Sequence, residues 1–195
     1  MQSLVLATRN PHKLREFERL LAPAGIGVEP LPDNVELPPE VGETFAENAR
    51  PKAETAATAT GRVSIADDSG IEADALDGAP GVRSARYAGE HATDEQNLLK
   101  LIDEAPAGSG LRYVCVLVYV DPSTGEEQSF EGTCAGVMSP ERRGERGFGY
   151  DPVFVPDDRD DGRTMAELSD DEKDAISHRG RAVRALAEWL GRGDV

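Results

Sequence analysis

Residues 113–120 form an almost continuous apolar run: Tyr113, Val114, Cys115, Val116, Leu117, Val118, Tyr119 and Val120. A run of this length, rich in β-branched and aromatic side chains, predicts a central strand buried on both faces. The rest of the chain must supply its neighbours. Residues 3–8 read as a short buried strand. Asn10 then reads as an N-cap and Pro11 as the first helical residue, with Leu14, Phe17, Leu20 and Leu21 as the apolar stripe. Pro23 and Gly25 end that helix. Residues 27–43 predict a strand plus a loop. Thr44 and Glu47 form a capping box that opens a helix to about Thr60, stopped by Gly61 and expected to kink at Pro51. Residues 62–66 predict a strand that runs out into a turn at Asp67, Asp68, Ser69 and Gly70. A turn-rich stretch covers residues 78–89. Thr93 and Gln96 form a second capping box, with Leu98, Leu99, Leu101 and Ile102 expected to face inward. After the apolar run, residues 121–125 turn into a partner strand at about 127–138. A glycine- and arginine-rich loop, a short strand at 153–155 and an acidic turn at 157–162 follow. Two helical pieces close the chain. Helices and strands alternate first and a hairpin follows, which predicts an α/β fold with a mixed sheet.

The chain has 195 residues, enough for one compact domain or two small lobes sharing a sheet. No repeat or linker divides it, so residues 1–195 read as a single domain. No run of 18 apolar residues occurs, which argues against a membrane span. The segment that begins at Met1 lacks the basic start and cleavage signal of a secretory peptide. The two cysteines, Cys115 and Cys134, lie inside strand-like runs. They read as reduced core residues of a cytoplasmic protein rather than a disulfide or zinc framework. The net charge of -16 argues against nucleic acid as a partner. A small anionic ligand would need a local cationic pocket or a metal. Lysine is scarce: Lys13, Lys52, Lys100 and Lys173 stand against 17 arginines.

Four segments could carry chemistry. Residues 8–13 place Thr8, Arg9, Asn10 and Lys13 at a strand-to-helix junction. Free N–H groups and the positive helix end favour anions there, whereas Lys13 opposes the helix dipole. A bound phosphate would relieve that conflict; an ordinary capped helix with a solvated lysine also fits. The pattern of a P-loop is absent. Asp67 and Asp68 are adjacent carboxylates at the end of a buried strand. They suit a hard cation such as Mg²⁺, with Glu40, Glu43 or Glu47 as further donors, or else a solvated acidic turn. In residues 147–152, Phe148 between Gly147 and Gly149 could stack on a base, or plug a loop. The spacing is not that of a dinucleotide fingerprint. Lys173, Ser177, His178 and Arg179 gather donors near a helix junction. The acidic turn fails as an EF-hand, because Arg159 occupies a ligand position.

The order of these segments is what identifies them. Residues 6–10 with Lys13, 44–48 with Lys52, 66–70, 78–81, 84–87, 148–152, 164–168 and 176–180 resemble the inosine triphosphate pyrophosphatase family, also called dITP/XTP pyrophosphatases. The resemblance spans nearly the whole chain. Arg9 departs from it, standing where many relatives have glycine, and so does Pro51, where a helix-friendly residue is expected.

The resemblance implies an elongated mixed β-sheet flanked by helices, in two lobes with an active-site cleft between them. It also implies a homodimer, dependence on Mg²⁺, and cleavage of dITP, ITP and XTP to the monophosphate and pyrophosphate, which cleanses the nucleotide pool. By that likeness Thr8, Asn10 and Lys13 hold the triphosphate, with Arg9 in the same substrate-binding stretch and Lys52 adding charge. Asp68 and Glu40 bind the metal, with Asp67 as a third carboxylate. Asp68 activates water, a role Asp67 could share. Ser69 meets the phosphate or sugar. Phe148 stacks on the base, and Gly149, Tyr150 and Asp151 complete that loop. Lys173, His178 and Arg179 lie near the base, the last two donating to its C6 oxygen. Two rivals are a nucleotide-binding module without hydrolysis and a Maf-type pyrophosphatase acting on modified pyrimidines or dTTP. The intact pair Asp67 and Asp68 argues against the first, and Ser177, His178 and Arg179 against the second.

Overall fold

The computed structural model describes residues 3–192; Met1 and Gln2 of the N-terminal segment lie outside them. The strands are β1 (Ser3–Leu6), β2 (Gly27–Pro30), β3 (Ser64–Ala73), β4 (Gly110–Asp121), β5 (Glu126–Met138) and β6 (Phe154–Pro156). The helices are α1 (Pro11–Leu21), α2 (Phe45–Thr60), α3 (Asp94–Glu104), α4 (Asp170–Ile176) and α5 (His178–Arg192). The six strands form one sheet in the order β2-β1-β3-β4-β5-β6. β1 runs parallel to β2 and β3, whereas β5 and β6 are antiparallel, so the sheet is mixed. Among the described residues no helix is long and apolar enough to cross a membrane.

Local chemistry explains the helix starts. The Asn10 carboxamide accepts the N–H groups of His12 and Lys13, and Pro11 occupies a position where no N–H is needed. α2, α3 and α4 each open on a reciprocal capping box, Thr44 with Glu47, Thr93 with Gln96 and Ser169 with Glu172. α2 continues as one helix through Pro51 to its left-handed cap at Gly61. The apolar run does become an inner strand. β4 lies between β3 and β5, and residues 113–119 are all buried.

The chain divides into two compact units. Among the described residues, one comprises residues 3–68, 115–132 and 179–192, the other residues 69–114 and 133–178. Each has its own core. Leu4, Leu6, Phe17, Leu21, Ile65, Leu117 and Leu186 are fully buried together in the first. Ile71, Leu98, Leu101, Phe154, Met165 and Leu168 are buried together in the second.

Two sequence expectations change. β3 does not end at Ala66 but continues through Asp67, Asp68, Ser69 and Gly70 to Ala73. The acidic pair stays in the strand because each of the two side chains has partners of its own, as described below. On α3, Leu98 and Leu101 are buried, but Leu99 and Ile102 are 49% and 37% exposed. A helix lying on a core hides one stripe, and four apolar residues within five positions exceed its width. Leu101→Ala should therefore cost about 2–5 kcal/mol, whereas Leu99→Ala should stay within about 0.5 kcal/mol. Urea denaturation of the two variants checks this, and equal losses would contradict it.

Candidate active site

Side chains alternate between the faces of a strand, so Asp67 and Asp68 point opposite ways. Each meets its own partners. Asp67 is 1% exposed. Its Oδ2 accepts Nη2 and Nε of Arg179 at 3.0 and 3.3 Å, and its Oδ1 lies 3.0 Å from Nζ of Lys13. Burial opposes the charge on Asp67, but Lys13, Arg179 and Lys52 outweigh it and hold the carboxyl well below the usual range. Arg179 is 1% exposed and also donates through Nη1 to the buried carboxylate of Glu16. Cys115 completes this layer with Sγ 3.8 Å from Asp67 Oδ2; burial and then Asp67 push its thiol far up, so it stays protonated.

Asp68, on the other face, meets α2. Its Oδ2 accepts Nδ2 of Asn48 at 3.0 Å. Asn48 is itself fixed, because its Oδ1 accepts the N–H of Gly42 at 2.8 Å. A side chain at residue 42 has no room: a Cβ would lie 2.6 Å from Glu47 Cβ. Lys52 Nζ donates to Glu40 Oε1 at 2.6 Å and to the Asp67 carbonyl at 2.7 Å. Burial works against that ammonium, but Asp67, Glu40 and Asp68 together raise its pKa. For Asp68 the balance is opposite: burial raises its pKa, Lys52 and Lys13 pull it down, and Glu40 adds to the rise. One carboxylate is thus locked in its charged form and the other is shifted toward the range of a useful base.

A third group lies in the second unit, around Asp151, which is 2% exposed. Its Oδ2 accepts Nζ of Lys173 at 2.7 Å and the N–H of Phe148 at 3.0 Å. Its Oδ1 accepts the hydroxyl of Tyr113 at 3.1 Å. The Lys173 ammonium lies 5.1 Å from the centre of the Phe148 ring, within cation–π range. His178 stacks on Tyr113 with ring centroids 4.6 Å apart. Tyr150 is buried, and its hydroxyl donates to the Ser84 carbonyl at 2.7 Å. Gly147 has φ +72°, and a Cβ there would lie 2.0 Å from Asp151 Oδ2. Glycine at this position therefore leaves room for the Asp151 carboxylate.

Several of the expected site residues have partners within the protein. Asp67, expected as a third metal carboxylate, is buried and paired with Lys13 and Arg179. Among the described residues no three His, Cys, Asp or Glu side chains gather as a metal cage. The Arg179 guanidinium, expected near the base, donates to Asp67 and Glu16. Lys13 is not a solvated lysine on an ordinary capped helix: its ammonium pairs with Asp67, so removing it should destabilise the fold. Arg9 donates to three backbone carbonyls of residues 31–35. Asn10 uses its carboxamide on the helix N–H groups, and Thr8 Oγ1 accepts the Asn10 N–H at 3.2 Å. The N–H of Gly149 donates to Asp94 at 3.3 Å. Ser69, half-buried, follows Asp68 directly.

The sequence reading missed Glu16, Asn48 and Tyr113. A signal existed for the first two. Glu16 and Lys13 share a helix face with Phe17, so a charged pair sits beside a core residue. Asn48 is a poor helix former just inside α2, which asks for a tertiary partner.

An α/β protein with a buried ion cluster beside a carboxylate of raised pKa is suited to binding a polar, charged ligand. Its relatives make that class specific. The sequence model of the Ham1 family matches residues 4–189, and the chain belongs to that family. It is 45% identical to a dITP/XTP pyrophosphatase of Bacillus licheniformis, over 97% of this chain and 98% of that protein. It is 47% identical to a dITP/XTP pyrophosphatase of Shewanella oneidensis, over 95% and 92%. A HAM1 protein structure from Coxiella burnetii superposes with TM-score 0.86 at 38% identity, covering 98% of this chain and 100% of that one. A structure from Mycobacterium abscessus, described as a nucleoside-triphosphatase / dITP/XTP pyrophosphatase, gives TM-score 0.71 at 42% identity over 95% and 98%.

Arg179→Met would leave Glu16 without its cation and Asp67 with Lys13 alone. The expected loss is about 3–5 kcal/mol, a fall in Tm on the order of 10 °C. Thermal unfolding followed by circular dichroism reads this directly. A Tm equal to wild type would remove the counter-ion role.

Proposed function

We propose that this protein hydrolyses dITP and XTP, and with them ITP, to the nucleoside monophosphate and pyrophosphate, in the cytoplasm and as a homodimer with Mg²⁺. The family and the names of its full-length relatives support the reaction. The observation that carries the mechanism is the division of labour between Asp67 and Asp68. The two reduced cysteines support the compartment, and the resemblance supports the dimer.

The donor set fits Mg²⁺. Asp68 and Glu40 are hard oxygen donors grouped around Lys52, and Mg²⁺ is usually held by one or two carboxylates plus substrate phosphates. When bound there, the ion would neutralise phosphate charge and polarise the α-phosphoryl group. Asp68 accepts the proton of the attacking water, for which its raised pKa suits it. Asn48 fixes the orientation of that carboxylate. Lys52 keeps its charge and offsets that of the leaving pyrophosphate. Atoms balance: water oxygen joins the α-phosphorus, the bond to the bridging oxygen breaks, and pyrophosphate leaves. In the second unit, Phe148 offers a face for the base and Lys173 a neighbouring cation. Hypoxanthine and xanthine carry an acceptor at C6, where adenine carries a donor. His178 and backbone N–H groups are the donors that would read this difference, now without Arg179.

A panel of dITP, XTP, ITP, dGTP, dATP and dTTP, with pyrophosphate and phosphate read separately, tests the reading. One pyrophosphate per monophosphate is expected. kcat/KM for dITP and XTP should exceed that for dATP by up to roughly 10⁴, the scale of unpaired polar groups. dGTP, which shares the C6 oxygen, should be the main residual substrate. Preference for dTTP would favour the Maf-type rival, and binding without turnover the non-hydrolysing module. Chelation by EDTA should abolish turnover and Mg²⁺ should restore it; full activity in excess EDTA would remove the metal from the account.

A further inference from the structure

Arg9 sits in the turn between β1 and α1 and is exposed, yet its guanidinium is well occupied. Nη1 donates to the Leu31 carbonyl at 2.9 Å. Nη2 donates to the carbonyls of Pro32 and Val35, both at 2.7 Å. The Asp33 carboxylate lies 3.7 Å away. All these partners lie at the start of residues 31–43, a connection between β2 and α2 with no helix or strand. Such long irregular connections in compact proteins are usually functional.

The other end of this segment reaches the candidate active site. Glu40 takes the Lys52 ammonium, and the Gly42 N–H holds Asn48, whose amide holds Asp68. The segment is therefore tied at both ends, to α2 by Glu40 and Gly42 and to the β1–α1 turn by Arg9. Leu31 and Val35, within this segment, are buried, so the first tie is both polar and packed. Without Arg9 three carbonyls would turn to water, and the segment would be anchored at one end only.

We propose that Arg9 is a positioning residue. It acts through residues 31–43 to hold Glu40 at the spacing from Asp68 that a divalent cation requires. The proposal rests on the reading of Asp68 and Glu40 as metal donors. It gives Arg9 no contact with substrate. The fork of the guanidinium is essential, because one planar group must serve three carbonyls in fixed directions; a lysine ammonium supplies the charge without that geometry.

The test compares the wild-type chain with Arg9→Ala and Arg9→Lys by two readouts that need no turnover. The first is hydrogen–deuterium exchange of peptides covering residues 31–43, with peptides from β4 as the control for global stability. The second is binding of Mn²⁺, used as the probe ion, followed by electron paramagnetic resonance. Both variants should exchange faster in residues 31–43 alone and bind Mn²⁺ up to about 10-fold more weakly, the low end of what losing a direct partner of a metal ligand costs. Unchanged exchange would overturn the proposal. So would faster exchange with unaltered Mn²⁺ affinity, or an Arg9→Lys variant that matches wild type in both. Hydrolysis of dITP is measured separately. If the wild type releases no pyrophosphate while the exchange and Mn²⁺ differences persist, the proposed function fails and the positioning role stands.

Discussion

A carboxylate in the middle of a buried strand has no water to share its charge, so the chain must supply the neutralising groups itself. Asp67 sets that requirement. Arg179 and Lys13 meet it, and Glu16 balances the second charge that Arg179 and Lys13 bring. The consequence runs through the first unit. A lysine in the first turn of α1 opposes the helix dipole, and the Asp67 carboxylate compensates for it. The first turn of α5 carries an arginine for the same reason. β3 can then continue through two adjacent acids without leaving the sheet.

Asp68 inherits a different environment because it points to the other face. There a carboxamide, an ammonium and a second carboxylate are arranged around it, and burial leaves its charged form less favoured. A raised folded-state pKa means that the ionised carboxyl opposes folding above its unfolded pKa. Stability is therefore given up at this residue, as is common where a group is kept ready for proton transfer. Adjacent residues of one type thus differ in role because of strand alternation and unlike neighbours.

Much of this was legible in the sequence. The inner strand at residues 113–120, the Asn10 cap and the capping boxes at Thr44 and Thr93 are local signals, and they survive folding. What escaped depends on distant residues. Residues 67–70 look like an acidic turn until Arg179, 112 positions from Asp67, is seen beside it. Arg179 looks like a free donor for the same reason. Nothing local reveals that Asp151 fills the space beside Gly147. The motif positions were visible as a set, but only the fold assigns them to separate partners. Asp151 illustrates this, gathering Lys173, Tyr113 and Phe148 from different elements into one cluster.

The most direct test is a crossed comparison of Asp67→Asn and Asp68→Asn, with Tm and pyrophosphate release from dITP measured on the same preparations at saturating Mg²⁺. Asp67→Asn leaves two buried cations short of a partner and should lose about 3–5 kcal/mol of stability. Asp68→Asn should keep a Tm at or slightly above wild type and lose on the order of 10²–10⁴ in kcat. A stable, inactive Asp67→Asn beside an unstable or fully active Asp68→Asn would contradict the assignment of structure to one carboxylate and chemistry to the other.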